Sequence, residues 1–503
     1  MNESLTLEQI RDFKGKYPKL IWPLFFSEMW ERFSFYGMRG MLTYFMVNRL
    51  FLDKEVANLQ YGATQAFVYA LTFLGGMLAD KILGLRRSLF WGGILMIIGS
   101  VVLAIDPQRF FFTGIGFNII GTGFFKPNIS SMVGNLYREG DNRIDAGFSL
   151  FYAGVNLGGL FGGYLCIAVA KREMLANIVP EHLAWNVAFG FSSLFMIISL
   201  LTFIRTQKKL ASIGVSPLQH LPAKTRYKYE IPVFITSLAL IPIVISMVAK
   251  TEYTDIFMYI IGPASVAYLL FEMRNYSWEI NKKLIAALMF MIFSIFFWAF
   301  FEQSGGSLSL FAASNLSSNI GMIHLDPNGV NNAANSFFVI PFAILFGIMW
   351  LWLGKRKAEP NTIVKFGLGF LFLAAGFYIF FLTRLFTDEH GVTSLGVFTF
   401  GWLIITFGEV CLSPIGMSVM TRLSPQRLQA VVMGMWFLAS AYGQYFAGLL
   451  GADIAKASKN MSNYDQLLVY TGSYKQLGIT ALIVGAVIIA LSPLMKKMMG
   501  DVK

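Results

Sequence analysis

Glu28, Glu31, Arg32, Arg39, Lys126, Glu302 and Glu409 stand inside stretches of sequence that are otherwise apolar. An ionised group at the centre of a membrane-spanning helix costs about 2.5–3.5 kcal/mol on insertion scales, so seven uncompensated groups cost on the order of 20 kcal/mol. A typical domain has only about 5–15 kcal/mol of net stability. The groups must therefore face one another or a water-filled cavity. Their types suggest the chemistry. Acids can hold a proton or an ammonium; bases can hold a carboxylate. Four acids and three bases leave one negative charge, which a single proton neutralises. A ligand with one ammonium and one carboxylate adds no net charge but needs a partner at each end. A carboxylate in a low-dielectric cavity holds its proton more tightly, and a paired cation reverses that preference. Where a gate makes or breaks such a pair, protonation is coupled to conformation.

The spacing is that of helices. Glu28, Glu31, Arg32, Phe35, Tyr36 and Arg39 recur at i, i+3, i+4, i+7, i+8 and i+11, which is one face of an α-helix. Glu28 and Arg32 can pair at i, i+4. Arg39, further along, can reach a carboxylate or a ligand. Trp298 with Glu302, and Glu409 with Ser413, share faces in the same way.

The elements that position these groups follow from composition. Of 503 residues, 56% are hydrophobic and only 14% charged; ordinary chains carry about 25% charged residues. Runs of about 20 apolar residues, long enough to span a bilayer, recur throughout. Polar breaks place spanning helices at 21–49, 59–80, 87–105, 109–134, 144–170, 184–204, 231–249, 255–273, 284–312, 332–353, 362–383, 394–420, 427–453 and 475–495. The runs lack the period-2 alternation of membrane strands. Lys and Arg concentrate in the loops on one side, so the positive-inside rule puts both termini in the cytoplasm. The net charge of +12 is thus mainly topogenic and no sign of nucleic-acid binding.

The expected organisation is a six-helix bundle over 1–204, a basic cytoplasmic linker over 205–230, an inserted helix pair over 231–273 and a second six-helix bundle over 274–503. With the inserted pair set aside, the charges fall in the first, fourth, seventh and tenth helices, which lead successive three-helix groups. Proteins built from nested three-helix repeats place their solute site at the repeat interface, near the midplane. Cys166 and Cys411 lie in apolar segments without metal-ligand spacing, and His182, His220, His324 and His390 fall in predicted loops. Neither a metal constellation nor a nucleophile elbow is apparent, and residues 1–19 contain no apolar signal-peptide core.

The stretch Glu28-Met-Trp-Glu31-Arg32-Phe33-Ser-Phe35-Tyr36 resembles the E-x-x-E-R-F-x-Y-Y signature of the proton-dependent oligopeptide transporter family, part of the major facilitator superfamily. Gly75-Gly-Met-Leu-Ala-Asp80-Lys-Ile-Leu-Gly84-Leu-Arg86-Arg87 resembles the superfamily's loop 2–3 motif. Phe124-Phe-Lys126-Pro127-Asn128, the segment Asp145 to Gly158 with Tyr152 and Asn156, Phe297-Trp298-Ala-Phe-Phe-Glu302-Gln303 and Gly408-Glu409-Val-Cys-Leu-Ser413-Pro414 are more family-specific.

That resemblance implies an all-α membrane protein with the major facilitator fold, two six-helix bundles plus two inserted helices. It implies a proton-coupled symporter of di- and tripeptides working by alternating access, with protons as the coupling ion and no cofactor. Glu28, Glu31, Arg32 and Glu302 would respond to protons, and Arg32 would also be a contact for the peptide carboxylate. Arg39 would pair with Glu302, and Lys126 with Glu409, as gates. Lys126 would bind the peptide carboxylate, while Glu409, Asn156 and Asn335 would hold its ammonium and amide. Tyr36, Tyr69, Trp298, Trp436 and Ser440 match pocket-lining positions. Phe35 replaces the usual tyrosine of the signature, removing one hydroxyl. The expected setting is the cell membrane, amid lipid, with the chain functional as a monomer. The alternatives are a relative carrying nitrate or another small solute, a non-transporting peptide receptor and, from another class, a membrane enzyme, for which no groups converge on a reacting atom.

Overall fold

A backbone in hydrocarbon must satisfy its own hydrogen bonds, and long apolar runs do so as helices. The computed structural model describes residues 6–138, 141, 143–412 and 416–500. Its long helices are α1 (Ile21–Asn48), α2 (Lys54–Leu78, continued by a π-turn Ala79–Leu83), α3 (Leu85–Ile105), α4 (Phe111–Asn135), α5 (Ile144–Ala170), α6 (Ala184–Gln207) and α7 (Ala223–Ala249). There follow α8 (Thr251–Met273), α9 (Trp278–Phe301), α10 (Pro327–Lys355), α11 (Thr362–Leu382), α12 (Leu395–Leu412), α13 (Gln429–Ala457) and α14 (Asn463–Met499). Among the described residues, eleven helical spans are long and apolar enough to cross a membrane. Helices α1, α4 and α13 are as long but more polar, and α1 and α4 carry the charged motifs. A small hairpin, Asn319–Ile320 against Ile323–His324, lies between α9 and α10.

Several boundaries differ from the hydropathy reading, the largest at α14, which begins at Asn463 and not at 475; three others have a clear local reason. Helix α7 begins at Ala223, inside the expected linker, because the Pro222 carbonyl accepts from the Thr225 and Arg226 amides and so starts a polar first turn that hydropathy reads as loop. The span expected at 284–312 is interrupted by a 3₁₀ turn, Glu302–Gly305, before a short helix Ser307–Asn315. The span expected at 394–420 is helical to Leu412 and again over Gly416–Leu423; Ser413 and Pro414 lie outside the described residues.

Contacts divide the chain into two compact units. Unit one is Met1–Met41 with Phe67–Lys250. Its site-bearing helix α1 runs along α5 on a line of glycines. A Cβ at Gly158 would strike the Met29 carbonyl and the Arg32 Cβ, and one at Gly162 would strike the Phe33 carbonyl. Glycine is required there because backbone meets backbone. Gly158→Val is expected to cost about 1–3 kcal/mol by overpacking, seen as a lower melting temperature in detergent. Gly190→Ala, where the new methyl meets nothing closer than 4.0 Å, is expected to leave the melt unchanged.

Arg143, at the threshold of α5, is pinned by the hydrogen bonds it donates to Asp141 (2.7 Å) and to the carbonyls of Phe13 and Gly15. The side-chain and backbone hydrogen bonds from Arg143 to Asp141 pull that carboxyl down to about 2. The pin therefore holds above the ordinary carboxylate range and loosens only as pH falls towards that value.

Unit two is Leu42–Ala66 with Thr251–Lys503. Within it the start of α2 bears on α13 through Gly62 and Gly448, whose added Cβ atoms would each collide with the other's Cα. Thr43 donates to the Gly305 carbonyl in the 3₁₀ turn. The inserted pair is divided between the units. Helix α7 packs on α4, where Gly116 meets Ile245; α8 packs on α13, where Tyr445 donates to Asp255 (2.7 Å).

Candidate functional site

In unit one, α1 buries Glu28, Glu31 and Arg32 almost completely. Arg32 Nε lies 3.1 Å from Glu28 Oε1, as the i, i+4 spacing leads one to expect, and also donates to its neighbour Glu31. Adjacent helical residues do not normally face each other; here the guanidinium folds across to reach both acids. Glu28 Oε2, Glu31 Oε1 and Arg32 Nη2 are buried with no hydrogen-bond partner among the described residues. Buried polar atoms are costly unless bonded, so these atoms are fitted to water or a ligand.

Phe35, the departure from the signature, packs its ring beneath Arg32, with the guanidinium carbon 5.1 Å from the ring centroid. Arg39 lies over Tyr36 at 5.8 Å, and Lys126 of α4 over Tyr69 of α2 at 4.2 Å. These are cation–π contacts. The charges of Arg32, Glu31, Glu28 and Arg39 all act on Lys126, so α1 and α4 form one electrostatic cluster. Arg32, Arg39 and Lys126 against Glu28 and Glu31 leave a single positive charge in excess. Asn156 of α5 is buried, and its amide donates to the Tyr152 carbonyl one turn back (2.9 Å).

Unit two is acidic where unit one is basic. Glu302 is buried at the end of α9, in the 3₁₀ turn. Glu409 of α12 is buried and accepts from the Asn335 amide of α10 at 2.6 Å, while the same amide donates to Thr406 at 3.2 Å. Trp436 and Ser440 sit one turn apart on α13, both buried. Gly443, on the same face, closes on the Trp298 Cβ of α9. Arg39 and Lys126 thus belong to unit one, Glu302 and Glu409 to unit two.

Several supporting residues received no role from the sequence reading, Gln303 among them although it stands in a quoted motif. Gln303 is fully buried and ties α9 to α13 by donating to Ala299 O (3.1 Å) and Ala447 O (3.0 Å), while accepting from Ser307 (2.7 Å). Asn331 donates to Ser304 O (2.7 Å) and Asn328 to Ser309 O (2.9 Å), so the start of α10 holds the break after α9. Asn328, Asn331 and Asn335 recur at i, i+3 and i+7, a polar stripe that the sequence displays.

Buried, sign-sorted charges on long apolar helices define a multi-pass membrane transporter and not a soluble binding protein. The model for the POT family matches residues 86–467, and the chain belongs to that family. It is 32% identical over 520 residues to the peptide transporter YePEPT of Yersinia enterocolitica, covering 98% of this chain and 97% of the relative. It is 30% identical over 512 residues to a di-/tripeptide transporter of Lactococcus lactis, covering 97% of each. A solved POT family transporter in complex with a thioalcohol-conjugated peptide superposes with a TM-score of 0.79 at 28% identity, covering 98% of this chain and 100% of that one. The fold is accordingly the major facilitator fold, with two helices added to two six-helix bundles.

Proposed function

We propose that this protein imports di- and tripeptides with protons across the cell membrane by alternating access, acting as a transporter and not as an enzyme. The observation that carries the reading is the sorting of charge. Unit one, with a positive excess and an unpartnered donor at Arg32 Nη2, suits a carboxylate through charge-assisted hydrogen bonds. Unit two, with Glu409 oriented by Asn335, suits an ammonium. The peptide carboxylate is assigned to Lys126 and Arg32, its ammonium to Glu409 and Asn335, and its amide to Asn156. The side chains are received by Tyr36, Tyr69, Trp298, Trp436 and Ser440; aromatic walls accept varied shapes. Arg39 with Glu302 and Lys126 with Glu409 serve as the gating pairs, and protonation of Glu302 and the Glu28–Glu31 cluster releases them. Both termini lie in the cytoplasm, and the monomer suffices.

A small inorganic anion such as nitrate fits less well, because Glu28, Glu31 and Glu409 repel a substrate that brings no ammonium. The purified protein in liposomes is expected to accumulate labelled dipeptide under an inward proton gradient and to lose that accumulation on adding an uncoupler. Unlabelled dipeptides are expected to compete, and nitrate to have no effect. Uptake indifferent to the gradient would remove the coupling; saturable binding without flux would make the protein a receptor.

A further inference from the structure

A cavity of about 380 Å³ opens in unit one, away from the charged residues of α1, lined by Arg86, Arg87, Gln207, Ser216, Gln219 and Arg226. That volume lies within the range of small-molecule sites, about 300–1,000 Å³. One wall is fixed. Arg86 donates to Ile213 O (2.6 Å) and Ala211 O (2.5 Å), its own amide donates to Gly214 O (2.9 Å), and Ser216 Oγ donates to Ile82 O (2.6 Å). These bonds clamp the loop after α6 beneath the start of α3. The opposite wall is the first turns of α7, where Glu230 is buried and accepts from Arg87.

The charges do not balance. Arg226 Nε lies 3.4 Å from Glu230 Oε1, but makes no hydrogen bond among the described residues although it is buried. Arg87 and Arg226 therefore share one carboxylate, Glu230, while Arg86 is held by backbone carbonyls; the Arg226 side chain is only 16% exposed and that of Arg87 41%. Cations withdrawn from water need counter-charge, and the planar guanidinium fork matches the oxygens of a phosphate. Next to the cavity, α7 exposes Tyr227, Tyr229 and Ile231. One turn deeper, Trp91 donates to Ser237 (2.9 Å). Tyrosine and tryptophan gather at the depth of lipid headgroups.

We propose that this cavity binds a phosphate group, with Arg226 and Arg87 as its principal ligands, and that the group arrives either on an anionic lipid headgroup or as free phosphate. Neither source takes part in the peptide site.

The full-length purified protein is titrated with dioctanoyl phosphatidylglycerol, with inorganic phosphate and with dioctanoylglycerol, which has no phosphate, and its melting temperature is followed. Saturable stabilisation is expected from at least one phosphate-bearing probe and none from dioctanoylglycerol. Stabilisation by the lipid that phosphate does not displace identifies the headgroup. Stabilisation by phosphate alone, or displacement of the lipid by phosphate, identifies the free anion; both support the site. Arg226→Gln is expected to weaken the apparent affinity at least about ten-fold, equivalent to about 1.4 kcal/mol. Arg226→Lys is expected to fall between, and Lys224→Gln, an exposed neighbour outside the cavity lining, to match the wild type. Should Arg226→Gln melt early without ligand, Arg226→Lys and the charge-balanced double variant Arg87→Gln/Glu230→Gln carry the comparison. No saturable shift with either phosphate probe overturns the proposal, as does an affinity unchanged in the arginine variants.

Discussion

Glu302→Gln is expected to abolish uphill accumulation of dipeptide while preserving counterflow exchange. Glu302 is 3% exposed and sits where α9 gives way to a 3₁₀ turn held by Gln303 and Asn331. Glutamine keeps the shape and the hydrogen-bonding capacity but cannot exchange a proton. A proton gradient supplies about 1.4 kcal/mol per pH unit, or about ten-fold accumulation per unit for one proton. The variant should therefore drop from that ratio to unity, with exchange of labelled for unlabelled peptide still measurable. Full uphill uptake by the variant would place the coupling proton on another residue.

Arg32→Met should produce the second large effect, on stability and transport together. It removes the cation that Glu28 and Glu31 share and leaves two buried carboxylates side by side. Breaking a buried ion pair from one side costs about 3–5 kcal/mol. The variant is expected to melt well below the wild type in alkaline buffer and to recover on acidification, as the two acids are neutralised. Glu28→Gln/Glu31→Gln/Arg32→Met should regain much of the stability and none of the proton-driven uptake. An Arg32→Met protein as stable as the wild type at alkaline pH would mean that solvent already screens the three groups.

Both predictions concern residues that are conspicuous in the sequence, because a charge inside an apolar run is too costly to persist without a partner or a wet cavity. The long helices are equally legible, since about 20 apolar residues carry the signal without tertiary help. The start of α7 is not. Lys224, Arg226 and Lys228 look like loop to a hydropathy window, whereas Pro222 and the hydrogen-bonded turns behind it make helix. The break at Glu302–Gly305 is hidden for the converse reason: Phe301, Leu308 and Leu310 keep the window apolar across a change of backbone. Glu28 with Arg32 follows from spacing, but the share taken by Glu31 depends on a rotamer that spacing does not encode. The Asn335–Glu409 bond joins positions 74 residues apart, and pairing across that separation needs the fold.

The seam between α1 and α5 repeats itself. Phe25, Met29, Phe33 and Gly37 meet Gly154, Gly158, Gly162 and Cys166 in steps of four on both helices. A translation of one helical turn, about 5.4 Å, would set Gly158 and Gly162 against backbone again, but would carry Cys166 off Gly37, the one residue of that row with room for its sulfur. Such a joint behaves as a rail with evenly spaced stops and two catches: Cys166 in the notch of Gly37, and Ser27 of α1 hydrogen-bonded to Ser199 of α6. The depth at which Glu28, Glu31 and Arg32 come to rest is thereby set by packing, and a slide would first have to free both catches.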